Sequence, residues 1–490
     1  MERKIINAFL VVCLVAGFLC LVTLFLPSPP PGEVGVEIET KKKQKISEIV
    51  GDLSQKDSVK DEKDETVWET LSGVRISFKP EETPDTRPVN PLASLHPYRP
   101  LAPAPGRSRY YFNTPSELKE EVEFWRNVYA RYPSSKTILH DSRNLNIVYG
   151  VLDFTQLEEN PVLLPKDKKE FRERIEEKRK KEISEWLKNL HENRDSKSLD
   201  EEEKRFVRLF EETHDETALK DSADRVRGQR GQKDQFLEGI IRAAPYMTHL
   251  EKIFVEEGVP AELTRLAFVE SMFQMKARSK AGAAGPFQFL QATGKKYLSI
   301  DRTVDDRLDP IRSGRAAAKL LKKQYEDLGT WPLSINAYNS GLQRMKKAVR
   351  ELKTRNIATI IHRHDGENYG FASRNFYPEF LASLEVYDYN KNYFGFIPLA
   401  PPLEFVEIQT EDSIPLKDLA DHLGMEVNLF RQYNPGFQSK LFEAGGHLPK
   451  HYPLRLPGTD RHLYLSAISE LSHRRHQSDL ALGEKGTATP

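Results

Sequence analysis

Cysteine is nearly missing from this 490-residue chain: it has only Cys13 and Cys20, both inside one apolar run near the N-terminus. That excludes a disulfide framework, and thiol chemistry, for everything after that run. An excess of either charge is missing as well, since Lys plus Arg and Asp plus Glu each number 73. A balanced chain gives no footing for a nucleic-acid partner, which requires a basic excess on some face. Beyond the N-terminus there is no long hydrophobic run, and 30% of residues are charged. The body of the chain therefore reads as a soluble fold whose core is assembled from short apolar stripes, and its length allows two or three domains.

What is present begins with the exception. From Ile5 to Leu26 only Asn7 and Thr23 are polar. As a helix this run spans roughly 33 Å, enough for a bilayer core of about 30 Å. Arg3 and Lys4 form the usual cytoplasmic flank, although KKKQK at 41–45 falls on the far side, diluted by Glu33, Glu37 and Glu39. LPSPPPG, which follows, lacks a small-x-small cleavage site, so the segment reads as an uncleaved anchor rather than a cleaved signal. Val12 and Leu19 precede the cysteines, which disfavours a lipidated cysteine. Residues 27–108, with PSPPPG, PEETPDTRPVNP and RPLAPAPG, read as a disordered tether with a reach of roughly 50 Å.

From Pro115 the pattern turns helical. Ser116 is placed to cap SELKEEVEFWRNVYARY, and KKEFRERIEEKRKKEISEWLKNL carries Phe171, Ile175, Ile183, Trp186 and Leu190 on a narrow apolar stripe. Its charges read as a solvated face with i,i+4 pairs. Gly228 and Gly231 mark a break, after which residues to about Tyr393 read as short helices without strand alternation. After IPLAPP the order becomes FVEIQ as strand, SIPLKDLADHLG and VNLFRQYNPG as helices, and YPLRLPG as closing strand.

The chemistry centres on RLAFVESMFQ, 265–274. After Pro260, Leu263, Leu266, Ala267 and Glu270 fall at i, i+3, i+4 and i+7, which places Glu270 on the apolar stripe. A carboxyl in apolar surroundings acquires a raised pKa and can serve as a general acid. The bland reading is a buried Glu satisfied by an Arg or by backbone. RSKAGAAGPFQFLQATG, 278–294, joins small residues to Phe287 and Gln288. INAYNSG, 335–341, sets Tyr338 and Asn339 before Gly341, and NFYPEFLAS places Tyr377 before a proline at the start of a helix. Small residues admit close backbone approach, and amide and aromatic side chains suit sugar edges and faces.

Together these segments resemble the soluble-type lytic transglycosylase family with its goose-type lysozyme fold. The matching residues are Glu270-Ser271, Gly285-Pro286-Phe287-Gln288, Ala337-Tyr338-Asn339-Ser340-Gly341 and Tyr377. QFLEGIIRAAPYMTHLEKIFVEEGVPAELTRLAFVES looks like the membrane-bound lytic transglycosylase D branch. Pro286-Phe287 departs from the usual aliphatic and Met or Trp pair, and proline removes a backbone donor there. Residues 404–458 resemble a degenerate LysM module through QYNPGF and YPLRLP, with QSKLFEAGGHLPKH inserted between them.

The resemblance implies cleavage of the β-1,4 bond between N-acetylmuramic acid and N-acetylglucosamine in peptidoglycan, with 1,6-anhydromuramic acid as product. Glu270 would be the acid and base. Ser271, Phe287, Gln288, Tyr338, Asn339 and Tyr377 would be substrate-binding. No cofactor or metal is implied, and HRHDGE at 362–367 reads as a solvated turn. Asp301, Asp305, Asp306 and Asp309 leave a second acid open.

The expected organisation is mainly α. A transmembrane anchor at 5–26 and a tether at 27–108 precede a helical extension at 109–235. A lysozyme-like all-α catalytic domain follows at 236–398, then a small α+β LysM-like module at 399–460 and a disordered tail at 461–490. Expected partners are peptidoglycan strands and, through the anchor, a membrane, with the catalytic domain in the periplasm or otherwise outside. The alternatives are a catalytically silent peptidoglycan-binding scaffold of the same fold and, within the enzyme reading, hydrolysis in place of anhydro formation. For the module, the choice lies between glycan binding and a cap packed on the catalytic domain.

Overall fold

The computed structural model describes residues 112–471, apart from 197, 214–216 and 444, together with strand segments at 59–60, 66–69 and 75–79. The proposed anchor at 5–26 and most of the tether lie outside these residues. Among the described residues no helix is long and apolar enough to cross a membrane. The chain divides into two compact units, 1–75 and 76–490. The first holds a short antiparallel pair, β1 (Val59–Lys60) and β2 (Thr66–Glu69).

The second unit begins with a sheet that the helical reading of 109–235 missed. Strand β3 (Arg75–Lys79), from within the expected tether, pairs antiparallel with β5 (Val148–Asp153); β5 pairs with β4 (Lys136–Asp141), and β4 with β6 (Val226–Arg230). Ile76 and Phe78 are buried, which is why 75–79 is ordered although its flanks are polar. Glycines 228 and 231 were read as a break. Gly228 lies inside β6 opposite Leu139, where a Cβ would strike the Glu176 side chain.

Three long helices complete this extension. Helix α1 (Lys119–Ala130) enters through a 3-10 turn, Ser116–Leu118, whose N-cap is Pro115; Ser116 donates to Glu117 and caps no backbone group. Helix α2 (Pro165–Glu192) has Pro165 in its first turn and buries Phe171, Ile175, Ile183 and Leu190, the expected stripe. Helix α3 (Glu201–Glu212) starts with an Asp200/Glu203 capping box, and Phe206 meets Trp186 edge-on at 5.1 Å.

The helical body follows as α4 (Lys233–Glu256), α5 (Leu266–Ser271), α6 (Pro310–Leu328), α7 (Trp331–Ser340), α8 (Leu342–Leu352), α9 (Ile357–Arg363) and α10 (Phe371–Asp388). One continuous core joins this body to the extension. Leu118, Val122, Trp125 and Tyr129 of α1 share it with Phe236, Phe268 and Phe380. Trp125 donates to Asn375 at 2.8 Å, and its ring lies 6.2 Å from Phe371, so α1 runs against α10 along the face Phe371, Asn375, Glu379.

The C-terminal module has the expected ββ closure, β7 (Phe405–Gln409) against β10 (Pro453–Pro457), around α11 (Leu416–Leu423) and α12 (Val427–Tyr433). A second pair, β8 (Ile414–Pro415) with β9 (His447–Leu448), is built partly from the insertion. The expected tail starts as a helix over 461–471, and Ile468 is buried in the module core.

Candidate active site

Glu270 stands at the end of a very short helix. Residues Ala261–Arg265 form a 3-10 turn, α5 runs only from Leu266 to Ser271, and Met272 and Phe273 then take left-handed backbone angles, φ 50° and 56°. Two consecutive non-glycine residues in that region are held by tertiary structure. Here the amides of Met272 and Phe273 donate back to Phe268 and Ala267 at 2.9 and 3.0 Å, and both side chains are buried. The abrupt stop lets the apolar stripe behave as expected for Leu263, Leu266 and Ala267, which are fully buried, while Glu270, one turn on, reaches a half-buried position.

The bland explanation for Glu270 fails on its neighbour. The buried Arg265 pairs with Glu251 at 2.5 Å and Asp388 at 3.3 Å, and its guanidinium lies 4.4 Å from the Tyr387 ring centre. Glu270 forms no ion pair among the described residues. Desolvation, followed by the like charge of Glu379, pushes its pKa up to about 8. The acid is therefore protonated at neutral pH.

The glycine-rich loop sits directly on α5. Ser271 Oγ donates to the Pro286 carbonyl at 2.9 Å and accepts from the Gln274 amide at 3.1 Å. Pro286 thus contributes its acceptor although it has no donor. Gln288 has φ 47° and donates to Gly285 O at 2.8 Å. Tyr338 Oη donates to Phe287 O at 2.8 Å, and burial together with the nearby Glu270 raises its pKa well above the usual value, keeping it a neutral donor. Glu270, Ser271, Gln288 and Tyr338 are thereby brought together around 285–288.

Other expected site residues fall elsewhere. Phe287 is fully buried and stacks toward Phe254 at 6.2 Å, so its ring anchors the loop in the core rather than facing a sugar. Asn339 is exposed and accepts from Ser373 Oγ at 3.1 Å, tying α7 to the start of α10. Tyr377 lies within α10 rather than ahead of a helix, because Pro378 is an interior proline; its buried ring stacks on Phe380. In the HRHDGE run, His362 meets Glu121 at 2.8 Å and Asp365 accepts from Arg374 at 2.6 Å.

Sequence reasoning missed Glu379. It continues the Phe371–Asn375 face of α10 toward Tyr129 of α1, whose pKa it raises, and Arg227 of β6, which lowers its own. Burial outweighs that arginine and lifts Glu379 to about 8. Starting the helix at Pro378 hid the i, i+4, i+8 spacing that would have found it. The aspartates after the loop supply no second acid. Asp301 caps the turn at Thr303, Asp305 binds Arg307, Asp306 accepts from Tyr452, and Asp309 pairs with Arg455.

A half-buried carboxyl with a raised pKa thus stands beside a glycine-rich loop inside a helical body. Residues 252–361 match the transglycosylase SLT domain, and residues 404–464 match the LysM-like domain of lytic transglycosylase MltD. The chain is homologous to membrane-bound lytic murein transglycosylase D of Escherichia coli (strain K12), with 28% identity over 232 residues, 46% of this chain and 50% of that protein. It also resembles a putative tributyltin chloride resistance protein of Alteromonas sp. (strain M-1), 30% identical over 116 residues, 23% of this chain and 56% of that one. The chain spans about half the length of these curated relatives. Among solved structures, lytic transglycosylase Slt of Pseudomonas aeruginosa aligns over 30% of this chain and 24% of its own, at 19% identity and TM-score 0.25.

Proposed function

We propose that this protein is a peptidoglycan lytic transglycosylase, held at a membrane by residues 5–26 with its catalytic body in the periplasm. The observation that carries the reading is Glu270, with a pKa raised to about 8 and no ion pair among the described residues, near Tyr338, which bonds to the backbone of the 285–288 loop. A neutral carboxyl can deliver its proton to the glycosidic oxygen as the bond between N-acetylmuramic acid and N-acetylglucosamine breaks. The resulting carboxylate then accepts the proton of the muramic C6 hydroxyl, whose oxygen bonds to C1. Atoms balance without water, and the product is a 1,6-anhydro sugar.

Glu379 favours considering the rival hydrolysis, in which a second carboxylate activates water. Against it, burial lifts the Glu379 pKa to about 8, so its basic form is the minor one at neutral pH. Gln288, half-buried at the loop, supports the reading as a hydrogen-bonding side chain for a sugar.

The test is digestion of purified sacculi by the full chain in detergent, with products resolved by mass. Anhydro-muropeptides that disappear with Glu270→Gln are the expected result. Reducing-end products carrying oxygen from labelled water would replace the lyase by a hydrolase. Binding without cleavage, unaffected by the substitution, would leave a scaffold.

A further inference from the structure

The segment between the glycine-rich loop and α6, TVDDRLDP, is unusually acidic for a buried stretch. Asp305, Asp306, Arg307 and Asp309 are each at most 5% exposed. Buried charges require partners, and these partners lie on two opposite sides.

On one side is the glycine-rich loop, which Ser271 joins to the end of α5 beside Glu270. Asp305 binds Arg307 through both oxygens, at 2.9 and 2.8 Å, in a fork-to-fork pair. The remaining Arg307 nitrogen donates to the carbonyls of Gly282 at 3.0 Å and Phe289 at 3.3 Å, the two ends of the turn that presents Pro286 and Gln288. Gly285, at φ 80°, approaches so closely that a Cβ there would lie 1.6 Å from the Arg307 carbonyl oxygen.

On the other side is the LysM-like module. The Asp305 amide donates to Gly436 O at 2.8 Å, the Gln438 amide donates to Thr303 O at 2.9 Å, and Val304 bridges Phe437 as a strand would. Val304 belongs to the module's own core. Tyr452 Oη donates to Asp306 at 2.8 Å, while Arg312 lies 3.4 Å from the same carboxylate and 4.4 Å from the Tyr452 ring centre. Arg455 and Asp309, both fully buried, form an ion pair, and Asp309 also caps α6 through the amides of Ile311 and Arg312.

We propose that the LysM-like module is a buttress of the glycine-rich loop: it clamps residues 303–309, and Arg307 transmits that clamp to residues 282–289, which are bonded to Ser271 next to Glu270. The module's Asn434-Pro435-Gly436-Phe437 turn is consumed by this task. Asn434 is fully buried, with its amide bonded to Phe430 and Arg455, and Gly436 and Phe437 face Asp305 and Val304. That turn is closed to a glycan strand, so the module's contribution is to the catalytic geometry. Asp305, Arg307 and Tyr452 are positioning residues in this scheme, which rests on the proposed lyase reading for its kinetic arm alone.

The test uses the full chain in detergent with two mild variants, Tyr452→Phe and Asp305→Asn, and one control in the module's core that makes none of the clamp's hydrogen bonds or ion pairs, Leu419→Ala. Hydrogen exchange of the amides at 282–289, which are bonded to Ser279, Ala277, Gly285 and Ala284, is read with kcat and KM on soluble glycan strands. The clamp variants are expected to speed exchange at 282–289 and lower kcat by between about twofold and thirtyfold with KM little changed, the range for coupling through a packed network. Leu419→Ala is expected to lower Tm while leaving both readouts as in the wild type below its transition. Unchanged exchange at 282–289 in both clamp variants would overturn the buttress and leave the module a passive cap. Wild-type protein without cleavage would sink the lyase reading while the exchange comparison still decides the buttress.

Discussion

At the scale of single residues the site is a problem in protonation. Glu270 and Glu379 are both lifted from about 4.5 to about 8, mainly by burial, and the charge of Glu379 adds to the shift of Glu270. In the proposed reaction the acid form of Glu270 acts first, so kcat is expected to fall as pH rises through about 8. Glu379→Gln removes the like charge, lowers the Glu270 pKa and moves that alkaline limb to lower pH; a limb that stays in place would separate the two carboxyls. The same shifts act on stability with a definite sign. A carboxyl whose folded pKa exceeds its unfolded one holds more protons when folded, so stability falls as pH rises between the two values. Thermal unfolding should show Tm declining from about pH 4.5 to pH 8, and the double variant Glu270→Gln with Glu379→Gln should flatten that slope. Ser271→Ala removes one hydrogen bond to Pro286 O and is expected to cost about 1 kcal/mol in denaturant unfolding, with a larger proportional loss of kcat because the loop it pins is joined to α5 beside the acid.

At the scale of elements, two interfaces hold the acid in place. Helix α5 is too short to be stable alone; it exists because α4 and α10 enclose it and because the loop 278–294 closes over its end. Gly285→Ala places a Cβ on the Arg307 carbonyl and demands a left-handed angle of alanine. That substitution should destabilise by more than about 1 kcal/mol, measured by urea midpoint, and abolish cleavage. On the opposite flank α1 meets α10 through Trp125, whose ring and indole N–H both engage it. Trp125→Ala is expected to cost about 3–5 kcal/mol, and a loss under 1 kcal/mol would show that the extension is only loosely attached.

At the scale of the whole molecule, the extension, the helical body and the module behave as parts of one device. A single core runs through the first two, and buried ion pairs fasten the third. A shared core predicts a shared transition: Trp125→Ala should shift the unfolding of α1 and of α10 together, read by hydrogen exchange in both helices, whereas separate midpoints would make the extension an independent domain. Arg227 of β6 and Tyr129 of α1 feel the charge of Glu379, and α1 packs on α10, so the 109–235 segment is joined to the helical body rather than merely lengthening a tether.

Glu270 and the loops near it were legible in the linear chain, because helical spacing and glycine placement are local, whereas Glu379 was not. RLAFVES announced an acid on an apolar stripe, and AGAAGPFQ and AYNSG announced the backbone that approaches it. The helices of the body and the βααβ order of the module were legible for the same reason. What tertiary structure alone decided depends on long-range pairing. Strands β3 to β6 are short, and the sheet they form draws partners from both sides of α1 and from beyond α3. Phe287 proved to be core because Phe254 lies opposite it, and Tyr377 because Pro378 continues a helix that already had its packing on α1. The aspartates of 305–309 offered themselves as spare acids in the sequence. In the fold their charges face Arg307, Tyr452 and Arg455, whereas Glu270 has no ion pair among the described residues and has Glu379 as an electrostatic neighbour.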